Sequence, residues 1–164
     1  MSPRLRPTLA TDYAVIANWI KDAQACARWA GPQLAFPFEV ADLPDLLTKP
    51  DSQSLVLADQ HDLPVGFAQF WKRDEQRVHL GRIIISPATR GLGYGRLLCE
   101  QLMQQAIAGT GMAVVSLRVY RDNPAALYLY RQLGFVVIEN DSNAEVLAME
   151  YRESGNVPPL PDSH

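Results

Sequence analysis

The sequence has few cysteines and only a small excess of acidic over basic side chains. Its two cysteines among 164 residues, Cys26 and Cys99, form neither a C-x-x-C pair nor the framework of a disulfide-stabilised domain. A formal net charge of −3, from 15 basic and 18 acidic side chains, argues against a nucleic-acid coat or a polybasic membrane contact. We therefore expect a cytoplasmic protein whose cysteines are buried as small hydrophobic side chains.

Long apolar runs are also lacking. No stretch approaches the ~18 residues of a membrane span, and Met1 to Thr8 lacks the apolar segment of a signal peptide. The length suits one domain, predicted over residues 1–152, with a core large enough to need neither disulfides nor metal. The proline-rich end, 153–164, is predicted to be an unstructured tail.

The first third of the chain predicts helices around an irregular loop. Thr11 and Asp12 can cap a helix that continues to Trp19. A loop rich in aromatic residues and prolines follows from Trp29 to Phe38. The stretch Val40–Leu47 is predicted to be a second short helix.

The remaining pattern predicts an α/β fold (α+β in some schemes) with flanking helices. The predicted strands are Ser54–Asp59, Val65–Trp71, Val78–Ser86, Val114–Val119, Phe135–Ile138 and Glu145–Tyr151, and the predicted helices are Gly93–Ala108 and Pro124–Leu133. Short turns indicate that the first three strands form an antiparallel meander. A strand-helix-strand crossover then makes the middle of the sheet parallel, so the sheet is mixed and mostly antiparallel.

A glycine-rich loop lies between the third strand and the long helix. Gly91, Gly93 and Gly95 at alternate positions allow a tight turn and close approach of a ligand to the backbone. The helix that follows presents unpaired N–H groups and the positive end of its dipole. Arg90 and Arg96 could add charge, so the loop fits a phosphate or pyrophosphate. The alternative is that the glycines only allow the helix to begin there.

Two common nucleotide-binding motifs do not fit this loop. A Walker P-loop requires Gly-Lys-Ser/Thr after its glycines, and no such lysine is present. A dinucleotide-binding Rossmann unit has G-x-G-x-x-G spacing and an acidic residue about 20 positions later. The spacing here is G-x-G-x-G, and Thr110 to Val115 contains no acid, which disfavours an oxidoreductase domain.

Two segments carry a resemblance to a known family. Ile83 to Pro87 followed by R-G-L-G-Y-G at Arg90 to Gly95 is similar to the strand and R-G-x-G-x-G/A loop of the GNAT superfamily of acyl-CoA-dependent N-acetyltransferases. Asn123 to Phe135, N-P-A-A-L-Y-L-Y-R-Q-L-G-F, resembles that superfamily's N-x-x-A-x-x-L-Y-x-x-L-G-F signature. The two motifs occur in the expected order, and the resemblance covers Val65 to Glu139 most clearly.

The resemblance implies a GNAT-like fold with acetyl-CoA as co-substrate. The loop N–H groups would hold the CoA pyrophosphate, and the backbone of Ile83–Ile85 would pair with the pantetheine arm like an added strand. Asn123 would cap its helix and also bond the cofactor arm. The cofactor-binding residues implied in this way are Ile83, Ile84, Ile85, Arg90, Gly91, Leu92, Gly93, Tyr94, Gly95, Arg96 and Asn123.

The resemblance also implies that Tyr130 is the general acid for the departing CoA thiolate. Tyrosine hydroxyls have a pKa of ~10 and thiols one of ~8.5, so full proton transfer is uphill by roughly 2 kcal/mol and the hydrogen bond itself contributes most. The alternative is that Tyr130, like Tyr128, is a core aromatic residue of an amphipathic helix.

The base and the acceptor site are less defined. A family branch that acetylates protein N-termini has a glutamate where this chain has Arg118, which argues against the same base or substrate. His79 and Glu39 are the remaining candidates for the base. Trp29 to Phe38 would build the acceptor pocket, or its aromatic residues are simply core.

We predict an N-acetyltransferase that moves an acetyl group directly from acetyl-CoA to a primary amine of a small molecule or peptide. Neither the acceptor nor tolerance of longer acyl groups is defined by the sequence, and a homodimer is compatible with it. The alternative from another functional class is a non-catalytic acyl-CoA-binding sensor or partner module, to which the missing glutamate at Arg118 gives some weight.

Overall fold

A computed structural model describes residues 2–153, which contain seven strands and five α-helices. In chain order these are β1 (Arg4–Pro7), α1 (Asp12–Ala17), α2 (Ala23–Ala30), α3 (Leu43–Leu46), β2 (Ser52–Ala58), β3 (Pro64–Lys72), β4 (Arg77–Ile85), α4 (Tyr94–Thr110), β5 (Val114–Tyr120), α5 (Pro124–Gln132), β6 (Val136–Val137) and β7 (Val146–Arg152). The strands are hydrogen-bonded in the order β1-β2-β3-β4-β5-β7-β6. The β4–β5 pair is parallel, which confirms the predicted mixed, mostly antiparallel sheet.

Contacts divide the chain into two units, of which the first comprises residues 2–71 and 80–103. Its β1 and β2 pair antiparallel from Arg4 opposite Ala58, and β2 continues antiparallel to β3. Phe67 lies at the centre of the core, with the rings of Tyr13 and Trp29 at 6.4 and 5.9 Å from its own. The buried residues of this cluster are Tyr13, Ile16, Trp19, Ile20, Cys26, Trp29, Ala30, Leu34, Leu43, Leu47, Val56, Ala58 and Phe67.

The second unit comprises residues 72–79 and 104–153. The first three residues of β4 pair in parallel with the start of β5, and β5 pairs antiparallel with β7 along its whole length. The short strand β6 pairs with β7 on its other side. An aromatic row of Tyr130, Phe135 and Tyr151, with ring centroids 5.9 and 5.7 Å apart, packs within this unit.

One prediction for the first third of the chain is wrong and another is confirmed. Helix α2 ends at Ala30, just before Gly31, so Trp29 is helical and does not begin a loop. The predicted short helix Val40–Leu47 is helical over 40–46, as a 3-10 turn, Val40–Asp42, followed by the single turn of α3. Pro44 lies in the first turn of α3, where its missing N–H has no helical partner to lose.

The predicted cap of α1 also differs from the structure. Thr11 occupies the N-cap position, but its side chain makes no capping hydrogen bond. The buried Asp12 carboxylate instead accepts from the Leu9 N–H at 2.7 Å and from both terminal nitrogens of Arg6, at 2.8 and 3.1 Å. Asp12 therefore ties strand β1 to the start of α1.

Replacing Asp12 by asparagine is expected to lower the free energy of unfolding by about 2–3 kcal/mol at pH 7, because charge-assisted hydrogen bonds are lost from a buried site. Burial alone raises the pKa of this carboxyl, but the hydrogen bonds from Arg6 and Leu9 outweigh burial and lower it. The stabilisation is thus present above the unfolded pKa of ~3.9 and is lost as the pH falls through the folded value. Urea unfolding at pH 7 and pH 3 should show the difference between the two proteins shrinking in acid.

The matched control is Asp62→Asn, because Asp62 bonds the Nε of Arg6 at 2.7 Å but its side chain is 67% exposed. This exposed pair should contribute little. A difference between Asp12→Asn and the unmodified protein that stayed constant from pH 7 to pH 3 would contradict the assignment to the ionised carboxylate.

None of the helices between residues 2 and 153 is long and apolar enough to span a membrane. Both cysteines are buried, as predicted, and neither forms a disulfide among the described residues. The predicted tail lies outside the described residues, apart from Glu153, whose N–H donates to the Ala113 carbonyl at 2.7 Å.

Candidate functional site

The glycine loop between β4 and α4 adopts a conformation that requires glycine. Gly91 and Gly93 both have φ of +84°, in the left-handed region that other residues rarely adopt. A Cβ atom at either position would meet none of the described atoms within 4 Å, so both backbones face open space. Leu92 between them is 63% exposed. The loop is therefore a surface on which an anionic ligand can approach the backbone closely.

Helix α4 and its arginines follow this loop. The carbonyl of Gly93 accepts the Leu97 N–H at 3.2 Å, so the helix begins directly after the second left-handed glycine. Its 17 residues place a helix dipole's positive end at the loop. Arg90 is exposed, and Arg96 Nε lies 3.2 Å from Glu100 Oε2 in an exposed pair. Such a pair is weak enough to exchange for a phosphate, so the residues present fit a pyrophosphate group.

Strand β4 leads into the loop with Ile83, Ile84 and Ile85, all half-buried. Ile84 packs against the apolar cluster of the first unit. Ile85 packs on Gly66, where an added Cβ would lie 3.0 Å from its Cδ1. The parallel ladder to β5 ends at His79 opposite Ser116, and β4 continues for six residues beyond it. These six residues can offer backbone groups to an extended ligand.

Helix α5 carries the second predicted motif. Asn123 is its N-cap, and its Oδ1 accepts the Ala126 N–H at 3.2 Å, which confirms the capping part of its predicted role. Tyr130 is buried, 8% exposed, and packs edge-on against Phe135. Tyr128 is 68% exposed, so the two tyrosines of this helix lie in opposite environments.

The candidate bases differ in how they are held. His79 Nδ1 lies 2.8 Å from the hydroxyl of the fully buried Ser116, in the second unit. Glu39, in the first unit, is exposed and precedes the 3-10 turn without capping it. Arg118 is exposed on β5. The contacts of His79 and those of Glu39 do not select either side chain as the base.

The aromatic residues from Trp29 to Phe38 belong largely to the core. Trp29 is 8% exposed. Phe36 and Phe38 stack edge-on at 6.0 Å and pack partly buried against the same cluster. The indole Nε1 of Trp29 donates to the carbonyl of Arg82 at 2.8 Å, so the core residue also fixes the backbone of β4.

Arg82 is a residue that the sequence pattern did not single out. It lies in β4 with φ of +52°. Its Nη1 donates to the Leu47 carbonyl at 3.0 Å and to Gln69 Oε1 at 2.8 Å. Burial lowers the pKa of this guanidinium. The available signal was a polar residue inside each of two neighbouring apolar runs, Gln69 in β3 and Arg82 in β4.

The family model and two curated relatives that match this chain are all acetyltransferases. The model of the acetyltransferase (GNAT) family matches residues 17–135. A mycothiol acetyltransferase from Mycobacteroides abscessus is 36% identical over 110 residues, which cover 62% of this chain and 36% of the relative. An N-alpha-acetyltransferase RimI from Mycobacterium tuberculosis is 46% identical over 61 residues, covering 37% of this chain and 35% of the relative. The chain thus spans about a third of the length of the curated relatives that it matches.

Solved structures share the fold over nearly the full length. A spermidine N-acetyltransferase from Vibrio cholerae, in complex with CoA and spermine, superimposes with a TM-score of 0.77 at 20% sequence identity. The alignment covers 96% of this chain and 99% of that chain. At this identity the likeness establishes the fold.

Proposed function

Because the chain belongs to the acetyltransferase (GNAT) family, we propose that it transfers an acetyl group from acetyl-CoA directly to a primary amine. The observation that carries this proposal is the loop at the end of β4, in which Gly91 and Gly93 are left-handed and open to solvent. No described atom lies within 4 Å of a Cβ built at either glycine, so the space beside both backbones is open. That conformation suits a backbone that receives an anion.

In this proposal the cofactor is bound by backbone groups and by charged side chains. The N–H groups from Gly91 to Arg96 bind the pyrophosphate, and Arg90 and Arg96 add positive charge. The backbone of Ile83–Ile85 pairs with the amides of the pantetheine arm, and Asn123 adds a polar contact to that arm. When bound, acetyl-CoA supplies an activated thioester carbonyl.

Tyr130 is proposed as the proton donor to the departing thiolate. Asn123 fixes the first turn of its helix through the cap at Ala126. Packing against Phe135 limits the rotamers available to the Tyr130 ring. A preorganised hydroxyl stabilises the developing charge without reorganisation during the reaction.

The acceptor is proposed to be the amine of a small molecule or peptide. Relatives named for mycothiol and N-alpha acetylation, and a structural neighbour solved with CoA and spermine, support an amine in general. A spermidine N-acetyltransferase from Vibrio cholerae that shares the fold is dodecameric. This supports the proposal that the present chain forms a homo-oligomer, of which a homodimer is the simplest case. A cytoplasmic location is part of the proposal, because two buried cysteine side chains suit a reducing compartment.

The competing function is a sensor or partner module that binds acyl-CoA without chemistry. Both functions require the loop and β4. They differ at Tyr130, which a module that only binds has no need to retain. Amine-dependent release of free CoA thiol is expected from the enzyme alone.

Acetyl-CoA is expected to stabilise the protein in thermal melts, whereas ATP and NAD are not. A ligand at 100 times its dissociation constant adds about 2.7 kcal/mol to the free energy of unfolding. Only acetyl-CoA has both a pyrophosphate for the glycine loop and an extended arm with two secondary amides for the edge of β4. A Tm increase with NAD but none with acetyl-CoA would contradict the proposed cofactor.

A further inference from the structure

We propose that Arg82 binds a carboxylate of the acceptor, so that the substrate is an amine that also carries a carboxylate. This inference rests on the proposed acetyl transfer and narrows its substrate class. All the contacts that support it lie within the first unit.

The guanidinium of Arg82 is anchored to the protein through one of its two terminal nitrogens. Its Nη1 is occupied by the Leu47 carbonyl and by Gln69 Oε1. Among the described residues, its Nε and Nη2 have no hydrogen-bond partner. These two nitrogens form an edge with parallel N–H groups, which matches the two oxygens of a carboxylate.

The charge of Arg82 also has no counterion in the described part of the chain. No Asp or Glu carboxylate there forms an ion pair with it. The Trp71 ring is shared by two cations, since Lys49 Nζ lies 4.9 Å and Arg82 Cζ 5.8 Å from its centroid. A half-buried guanidinium without a counterion is costly to keep. An anionic ligand would offset this cost, and a polyamine would increase it.

The residues behind Arg82 make the position rigid. Gln69 is fully buried, and its Nε2 donates to the Leu47 carbonyl and to Ser54 Oγ, each at 2.8 Å. The amide oxygen is thereby oriented toward Arg82. The Arg82 backbone, at positive φ, is held by the Trp29 indole. Such a strained, over-determined position is typical of a functional site.

Arg82 also lies where the reacting end of acetyl-CoA would be. In the proposed binding mode the pyrophosphate sits at the loop after β4, and the arm runs back along the strand from Ile85 to Ile83. The next residue is Arg82. A carboxylate bound there would hold an attached amine close to the thioester. This proximity would favour attack of the amine on the thioester carbonyl.

Matched pairs of acceptors test this inference. Acetyl transfer would be measured to the L-amino acids, β-alanine and γ-aminobutyrate, to the carboxamide of each, and to spermidine. The best carboxylate acceptor is expected to have a kcat/KM at least about tenfold above that of its carboxamide. The difference should lie mainly in KM, because Arg82 would bind the carboxylate equally in the ground state and in the transition state. Arg82→Gln should remove this preference, and Arg82→Lys should retain part of it.

Two controls separate this role from folding and from the cofactor. Arg73→Gln removes an exposed arginine just after β3 and should leave the preference unchanged. The Tm increase with acetyl-CoA should persist in both Arg82 variants if they are folded. Equal rates with carboxylates and carboxamides, or a preference that survives in Arg82→Gln, would overturn the role of Arg82 while acetyl transfer stands. Failure to acetylate any acceptor would overturn both proposals.

Discussion

Replacing Tyr130 by phenylalanine is expected to reduce kcat about 10- to 1000-fold, with little change in acetyl-CoA affinity or Tm. The substitution removes one hydroxyl and almost no volume. If that hydroxyl stabilises the thiolate only as the C–S bond breaks, its contribution appears in the transition state and not in binding. Steady-state rates of both proteins on one amine, with acetyl-CoA affinity from calorimetry, measure the effect.

The same helix supplies a control. Tyr128→Phe removes a hydroxyl from a side chain that is 68% exposed, and it should leave kcat, affinity and Tm unchanged. A purely structural Tyr130 gives the opposite pattern, in which about 1 kcal/mol of stability is lost with the hydrogen bond of a buried hydroxyl and turnover is retained. Wild-type turnover in Tyr130→Phe would remove this residue from the mechanism and favour a bound water as the acid.

Replacing Gly93 by valine is expected to weaken acetyl-CoA binding by a factor on the order of 100, or about 2.7 kcal/mol. Valine is strongly disfavoured at the φ of +84° found there. Its side chain would also enter the open space through which a ligand reaches the loop backbone. Calorimetric titration with acetyl-CoA measures the loss, provided that the melting curve shows a folded variant.

Gly111→Val separates ligand binding from backbone strain. Gly111 follows α4 with φ of +72°, and a Cβ there also meets nothing within 4 Å among the described atoms. Its N–H donates to the Ile107 carbonyl as the helix ends. This variant should lose stability like Gly93→Val, because both strain a left-handed residue, but it should bind acetyl-CoA normally. Equal affinity in the two variants would mean that the glycine loop is structural.

The elements that position the loop were predictable because their patterns are strong. Helix α4 repeats apolar residues at helical spacing and ends near Gly111, which fixes its existence and its approximate end. Strands β3, β4 and β5 are apolar runs separated by short turns or by that helix, so their order and the parallel β4–β5 pair followed from known crossover geometry. The Asn123 cap before Pro124 was equally direct.

Helix α2 was missed although its signals are present. Asp22 caps it by accepting the Ala25 N–H at 2.8 Å, and its buried Cys26, Trp29 and Ala30 follow helical spacing. The segment is short and is followed at once by glycine and proline, so the aromatic and proline-rich stretch after it dominated the prediction. Its burial comes from packing against Phe67, a tertiary contact that no local pattern encodes.

The environment of Arg82 could not be predicted. No sequence rule places a non-glycine residue at positive φ inside a strand. Its contacts reach Leu47 and Gln69 from separate parts of the chain. The sequence contains the two polar residues, but only the folded structure brings them together and leaves Nε and Nη2 of Arg82 without a hydrogen-bond partner among the described residues.

Acetyl transfer itself is tested most directly by incubating the protein with isotope-labelled acetyl-CoA and the panel of amines, peptides included. Free thiol and the labelled N-acetyl product would be measured together. The expected result is amine-dependent thiol release matched one for one by labelled product, with a rate that falls in Tyr130→Phe and not in Tyr128→Phe. A protein that is stabilised by acetyl-CoA but releases no thiol with any amine and forms no labelled product would contradict catalysis and establish a binding module.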